Sequence, residues 1–194
     1  MKNVALAIAL AAAAVSAPAI AAADGTLSST NSIGTMTVTT NIPKLVKISG
    51  LSDITFNPTA ADLATGTGLQ NASSRFCVYS NDTADGLYKI KVDGVAGSEL
   101  NTGELKFGLT GPGGVLDLGV WVSDQANAPY TRNAIPGREY GDFKTTAGGQ
   151  TRPTTLNCGG GNNASMAFRL KNSGILAMTA GSYTGTLTLT VSAL

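Results

Sequence analysis

From Gly34 to its last residues, almost every periodic segment of this chain repeats its apolar side chains at every second position, and almost none at the spacing of a helix. The closing run AGSYTGTLTLTVSAL (180–194) is the plainest case. Thr184, Thr186, Thr188 and Thr190 alternate with Gly185, Leu187, Leu189 and Val191, the period of a half-buried β-strand. No strand follows it in the sequence. A strand with an unpaired edge invites association and is normally covered, so this run is expected to need a partner from elsewhere.

The same period runs back along the chain. GTMTVTTNI (34–42) sets Met36, Val38, Thr40 and Ile42 against Thr35, Thr37, Thr39 and Asn41. KLVKISG follows directly after Pro43, a residue that interrupts a ladder unless it sits at an edge or corner. DITF (53–56) is short and β-branched. SRFCVYSN (74–81) puts Phe76, Val78 and Ser80 on one face, with Cys77 and Tyr79 on the other. GLYKIKVDG (86–94), ELKFGLTG (104–111), LDLGVWVSD (116–124) and SMAFRLKN (165–172) complete the set, with NDTADG and PGG as turns. A single helical turn is expected in PTAADLATG (58–66), with Thr59 near its cap. The polar stretch 125–152 holds either a short hairpin or a surface excursion. Eight to ten short strands with evenly spaced turns predict an all-β sandwich or barrel.

The first 23 residues read as a cleavable secretory leader: Lys2, an apolar run, then Ala21-Ala22-Ala23. No other stretch approaches the roughly 20 apolar residues of a membrane helix, so no membrane span is expected after cleavage. Loss of Lys2 takes the basic count from 13 to 12, equal to the 12 acidic residues. A neutral, sparsely charged surface argues against nucleic acid or an anionic membrane as partner. In a secreted chain the two cysteines, Cys77 and Cys158, are expected to form a disulfide. The alternatives are poor ones, because two thiols without histidine make a weak metal set and no C-x-x-C redox spacing is present.

Little in the sequence points to catalysis, and no enzyme activity or cofactor is expected. There is no histidine at all, which removes the usual general base, triad partner and metal ligand together. Glu139 and Asp142 stand in the long polar stretch and read as solvated surface. CGGGNN (158–163) is glycine-rich, but no Lys-Ser/Thr follows, so a flexible turn beside the disulfide explains it better than a phosphate cradle. The spaced threonines of the two end strands suit β structure in general and do not build an extended ice- or polysaccharide-binding array.

One pattern does point to a function. A flexible lead, DGTLSSTNS, precedes the alternating run 34–42 at one end of the chain, and an edge strand lies at the other. If Met36, Val38, Thr40 and Ile42 slot beside the last strand of a neighbouring molecule, the sandwich is completed in trans by β-strand addition. Such a head-to-tail contact need not close and can grow a fibre.

In this ordered set the sequence resembles the spore coat U-type subunits of archaic chaperone–usher fimbriae. The resemblance lies in the early alternating strand, FCVYSNDTADGLYKIKVDG in the centre, VWVSDQANAPY at 120–130, and the AGSYTGTLTLTVSAL ending. It implies an incomplete immunoglobulin-like sandwich (44–194) preceded by an N-terminal donor extension (24–43). It also implies a periplasmic chaperone and an outer-membrane usher as partners, neighbouring pilins as polymer contacts, and a secreted protein that ends in a surface fimbria. By that pattern Met36, Val38, Thr40 and Ile42 are the donor residues, and Leu187, Leu189 and Val191 border the acceptor groove. The family often places its first cysteine soon after the donor strand. KLVKISG has none, so a Cys77–Cys158 bond would staple a different pair of strands. The competing expectation is a self-complemented secreted sandwich that binds a ligand or acts as an adhesin.

Overall fold

The computed structural model describes residues 23–97, 105–128 and 130–194, so the expected leader lies outside the described residues except for Ala23. The chain divides into two units, Met1–Ile42 and Pro43–Leu194.

The larger unit is nearly all β. In chain order its strands are β1 (Val46–Ser49), β2 (Leu69–Ser80), β3 (Leu87–Asp93), β4 (Leu105–Gly111), β5 (Gly114–Ser123), β6 (Arg132–Asn133), β7 (Glu139–Lys144), β8 (Ala164–Lys171) and β9 (Thr188–Ala193). Every pairing is antiparallel. One sheet runs β1-β2-β8-β5-β4, with β6 also on β5, and the other runs β7-β3-β9. The expected all-β sandwich is therefore the fold, and the alternation explains it. Phe76 and Val78 of β2, Ile90 and Val92 of β3, Val120 and Val122 of β5 and Phe168 and Leu170 of β8 enter one core, while the residues between them point away. Each such side chain contributes roughly 1.5–3 kcal/mol on burial.

Two short helices sit at the end of the sandwich away from the β1–β2 register pair Val46↔Ser80. The first, α1 (Ala60–Leu63), forms where the sequence places it. Thr59 caps it, its side chain accepting from the Asp62 amide while the Thr59 amide donates to Asp62 Oδ2 at 2.8 Å. The Thr59 hydroxyl also donates to Asp62 Oδ2 at 2.7 Å, and this bond first, then that of the Thr59 amide, holds the Asp62 carboxyl below its ordinary range. The second, α2 (Asn172–Leu176), was not legible, because SMAFRLKN reads smoothly onward as strand. Buried Asn172 ends β8 instead: its Nδ2 donates to Asp62 O at 2.6 Å, and its Oδ1 accepts from Gln70 Nε2 at 2.9 Å.

The turn NDTADG closes on Gly86, at φ 63. A Cβ there would meet Thr145 Oγ1 at 2.3 Å and Ser80 O at 2.9 Å, so only glycine fits. Tyr88, just beyond, is fully buried and stacks on Phe143 at 5.8 Å. Its hydroxyl has no hydrogen-bond partner among the described residues. Burial, with a further push from the Asp124 charge, drives its pKa strongly upward.

The polar stretch 125–152 proves to be neither a simple hairpin nor a free excursion. It supplies β6 to one sheet and β7 to the other, and together with 153–163 it covers the outer face of the larger sheet. Ser165 Oγ donates to Gln125 O at 2.6 Å, and Gln150 Nε2 donates to Ala147 O at 2.8 Å and to Asp124 O and Asn163 O at 3.2 Å. Trp121 is covered by Tyr130, with ring centroids 5.5 Å apart, and by the Arg169 guanidinium at 4.8 Å. Buried Asn163 continues the β2–β8 ladder with its side chain, accepting from Val78 N and donating to Val78 O, both at 2.8 Å. The expected disulfide is formed: Cys77 and Cys158 lie 5.9 Å apart at Cα, tying CGGGNN to β2 across 81 residues. The glycine run is a turn beside it, with Gly159 and Gly160 at φ 63 and 86.

In the smaller unit, the described residues 23–42 form no strand. Ala23 and Thr35 make one bridge, their amides donating to each other's carbonyls at 2.9 Å. The strand expected over 34–42 is thus a segment with one bridge, at Thr35, and no ladder among the described residues. Its apolar positions lie in solvent: Met36 is 78% exposed, Val38 85% and Ile42 74%, and Thr40 is exposed as well. Alternation makes a segment suited to pairing, but a strand exists only when a partner takes up its N–H and C=O groups.

Candidate functional site

The two lateral edges of the sandwich are treated differently. The β4 edge is sealed. Gly108 N donates to Val95 O at 2.8 Å, and Thr110 and Thr184 exchange hydrogen bonds at 2.8 and 3.0 Å. The other side is bordered by β1 and β9. Among the described residues β1 pairs with β2 and β9 with β3, each on one side. Each therefore keeps one edge of main-chain donors and acceptors without a ladder, and the gap between these edges is narrow beside β1, where Cα atoms of the two strands come within 8 Å.

Both lips of that gap are apolar. One is built from Val46 and Ile48 of β1 together with the segment 53–58, where Ile54 and Phe56 alternate with exposed Asp53, Thr55 and Asn57. DITF was expected to be a strand; it joins no ladder among the described residues, although Ser52 Oγ meets Ser74 Oγ of β2 at 2.9 Å. The other lip carries Leu187, Leu189 and Val191, with Leu187 standing just before β9 rather than inside it. All seven side chains are partly buried and pack against the core without being covered by it.

The lips are tied at one end. Lys44 Nζ donates to Asp82 Oδ2 at 3.0 Å and to the main-chain oxygen of Leu194 at 2.6 Å. At the same end, Asn81 accepts from Leu45 N at 2.6 Å and donates from Nδ2 to Pro43 O at 2.9 Å, which fixes the chain as it enters β1. At the opposite end no hydrogen bond or ion pair joins 53–58 to 186–190 among the described residues.

Of the residues singled out from sequence, the structure places Leu189 and Val191 in β9 with Leu187 just before it, and joins Cys77 to Cys158. Met36, Val38, Thr40 and Ile42 lie in the other unit, exposed. The opposite lip was missed. Its signal was present, since Val46/Ile48 and Ile54/Phe56 both alternate, but the runs are short and Pro43, Gly50 and Pro58 break them up. Lys44 gave no signal at all. Glu139 is ion-paired with Lys89 at 3.0 Å and Asp142 is exposed, so the two loop carboxylates build no common site. No helix among the described residues is long and apolar enough to cross a membrane.

Neither a protein-family description nor a curated protein matches this sequence. Solved structures resemble it in fold, and two of them are the following. One is a chaperone–tip adhesin complex described as vital for activation of CFA/I fimbriae biogenesis, 15% identical with a TM-score of 0.42 over 77% of this chain. This chain spans 42% of the length of that one. The other is a chaperone–usher pilus, 13% identical with a TM-score of 0.41, covering 83% of this chain and 96% of that one.

Proposed function

We propose that this protein is a structural subunit of a surface fimbria, polymerised by donor-strand complementation. The alternating segment 36–42 of one copy enters between β1 and β9 of the next, and β1 moves aside from its present approach to β9 to admit it. A periplasmic chaperone holds the gap before assembly, and an outer-membrane usher delivers the subunit to the growing fibre. The observation that carries this reading is a match of two incomplete features. The groove has two apolar lips with unpaired main-chain edges, and the arm has an apolar stripe in solvent with unpaired edges of its own. Their lengths agree. Met36 to Ile42 and Leu187 to Ala193 each span six residue steps, about 20 Å at roughly 3.3 Å per step. Main-chain hydrogen bonds on both sides of the inserted strand would supply affinity, and the alternate side chains would supply fit. The contact is heterologous, so it propagates instead of closing.

The test is size-exclusion chromatography of the chain from Asp24, beside a version that begins at Pro43. Donor-strand assembly predicts a ladder of oligomers that vanishes on truncation, and a stable complex when a 26–42 peptide is supplied to the truncated protein. A compact monomer that unfolds on truncation refutes polymerisation in trans, and means that the arm completes its own sandwich.

A further inference from the structure

The tie at one end of the groove has a consequence for how a strand enters it, given the donor-strand reading above. β9 runs toward the tied end, with Leu187 at the open end and Leu194 at the Lys44 contact. The tied end is already filled by the copy's own Pro43–Leu45 segment and the Asn81 turn. In the incoming copy, Pro43 and the whole body follow Ile42 directly, so Ile42 has to leave by the open end. The inserted strand therefore lies antiparallel to β9, with its Met36 end toward Lys44.

Register then has few choices. A slip by one residue turns the apolar stripe of the arm out of the groove, which leaves slips of two. We propose that Lys44 is the stop that selects among them, and that the arm of a second copy seats with Val38 opposite Val191, Thr40 opposite Leu189 and Ile42 opposite Leu187. In this register Met36 faces Ala193, immediately short of the tie. Two residues deeper, Met36 runs past Ala193 into the Lys44 side chain, which Asp82 and Leu194 hold in place. Asp82 is a firm anchor for it: it is buried, its amide donates to Ser80 Oγ at 3.2 Å, and its carbonyl accepts from Leu87 N at 2.9 Å. Two residues shallower, Ile42 faces Gly185, which has no side chain and backs onto Leu109 and Gly108 O. The contribution of Lys44 is steric and positional. Its side chain is 62% exposed, and an ion pair of that kind adds little stability.

The experiment is cysteine cross-linking between copies in polymers of the full chain. Val38→Cys is combined in turn with Leu189→Cys, Val191→Cys or Ala193→Cys, and the products are mapped by mass spectrometry. Thr40→Cys with Leu189→Cys reports the same register, should one of the other pairs fail to fold. Each pair is made with Lys44 intact, with Lys44→Ala and with Lys44→Arg. The expected result is a 38–191 product with Lys44 or Lys44→Arg, and a shift of cross-links into the 38–193 product with Lys44→Ala. A 38–191 product that is indifferent to Lys44→Ala removes the stop while leaving donor-strand assembly standing. A dominant 38–189 or 38–193 product with Lys44 intact overturns the register. Polymers that give none of these products place the arm elsewhere and sink the donor-strand reading itself.

Discussion

Val38→Asp separates the energetics of the isolated chain from those of the assembled one. Val38 is 85% exposed in the single chain, so the substitution removes no packing there, and the folded body should change by no more than about 0.5 kcal/mol. In the groove the same change acts twice. It forfeits the burial of a valine, roughly 1.5–3 kcal/mol. It also sets a carboxylate between two apolar lips, where an unpaired charge costs several kcal/mol more even after relaxation. A total of about 4 kcal/mol or more weakens each joint on the order of a thousandfold. The assay is the oligomer distribution of matched preparations at equal concentration, with circular dichroism to confirm an unchanged fold. Thr39→Asp is the control, because Thr39 belongs to the opposite face of the arm and should leave assembly intact. Wild-type polymers from Val38→Asp, or equal damage from Thr39→Asp, would refute the claim that the alternate face of the arm is what the groove reads.

Three further outcomes test the body of the sandwich. Tyr88→Phe removes a buried hydroxyl without a described partner, so stability at neutral pH should be unchanged or slightly higher in urea unfolding. Because burial raises the Tyr88 pKa in the folded state, its contribution is complete below the unfolded value near 10 and is lost as pH rises beyond it. The wild type should therefore weaken above about pH 10, and Tyr88→Phe should weaken less; identical alkaline profiles would contradict the assignment. Asn163→Ala leaves both Val78 N and Val78 O without partners and should cost about 2–4 kcal/mol in the same assay. Replacing Cys77 and Cys158 together with serine opens a loop spanning 81 residues and should cost roughly 4–5 kcal/mol in the chain-entropy account, seen as a lower denaturant midpoint and a lower folded yield.

The fold was legible because its signal is local and repeated. Tyr88, Ile90 and Val92 fall in the core and Lys89 and Lys91 outside it, as period-2 alternation requires. The Thr59 cap was legible for the same reason, since a threonine three residues before an aspartate carries its own hydrogen bonds. What stayed hidden depends on distant segments meeting. Asn172 ends β8 because Asp62 and Gln70 wait for it, more than a hundred residues earlier in the chain. Lys44 matters only because the end of β9 is brought to it. The cover built from 124–163 was opaque as well: its bonds run from glutamine, serine and asparagine side chains to main-chain oxygens, with no period to detect.

The segment 34–42 marks the limit of such reading most clearly. Its alternation is as regular as that of β3, yet β3 lies between β7 and β9 while 36–42, beyond the Ala23–Thr35 bridge, makes no ladder among the described residues. The difference is not one of propensity. β3 obtains two flanking edges from its own chain, whereas 36–42 keeps its apolar stripe in water. Leaving Met36, Val38 and Ile42 exposed forgoes about 1.5–3 kcal/mol of burial for each, and the half-buried lips of the groove forgo part of theirs. Both deficits would be removed by the one event proposed above, the insertion of this segment beside β9 of a second copy. The residues that look misplaced in a single copy are therefore the ones with the most to gain when two copies meet.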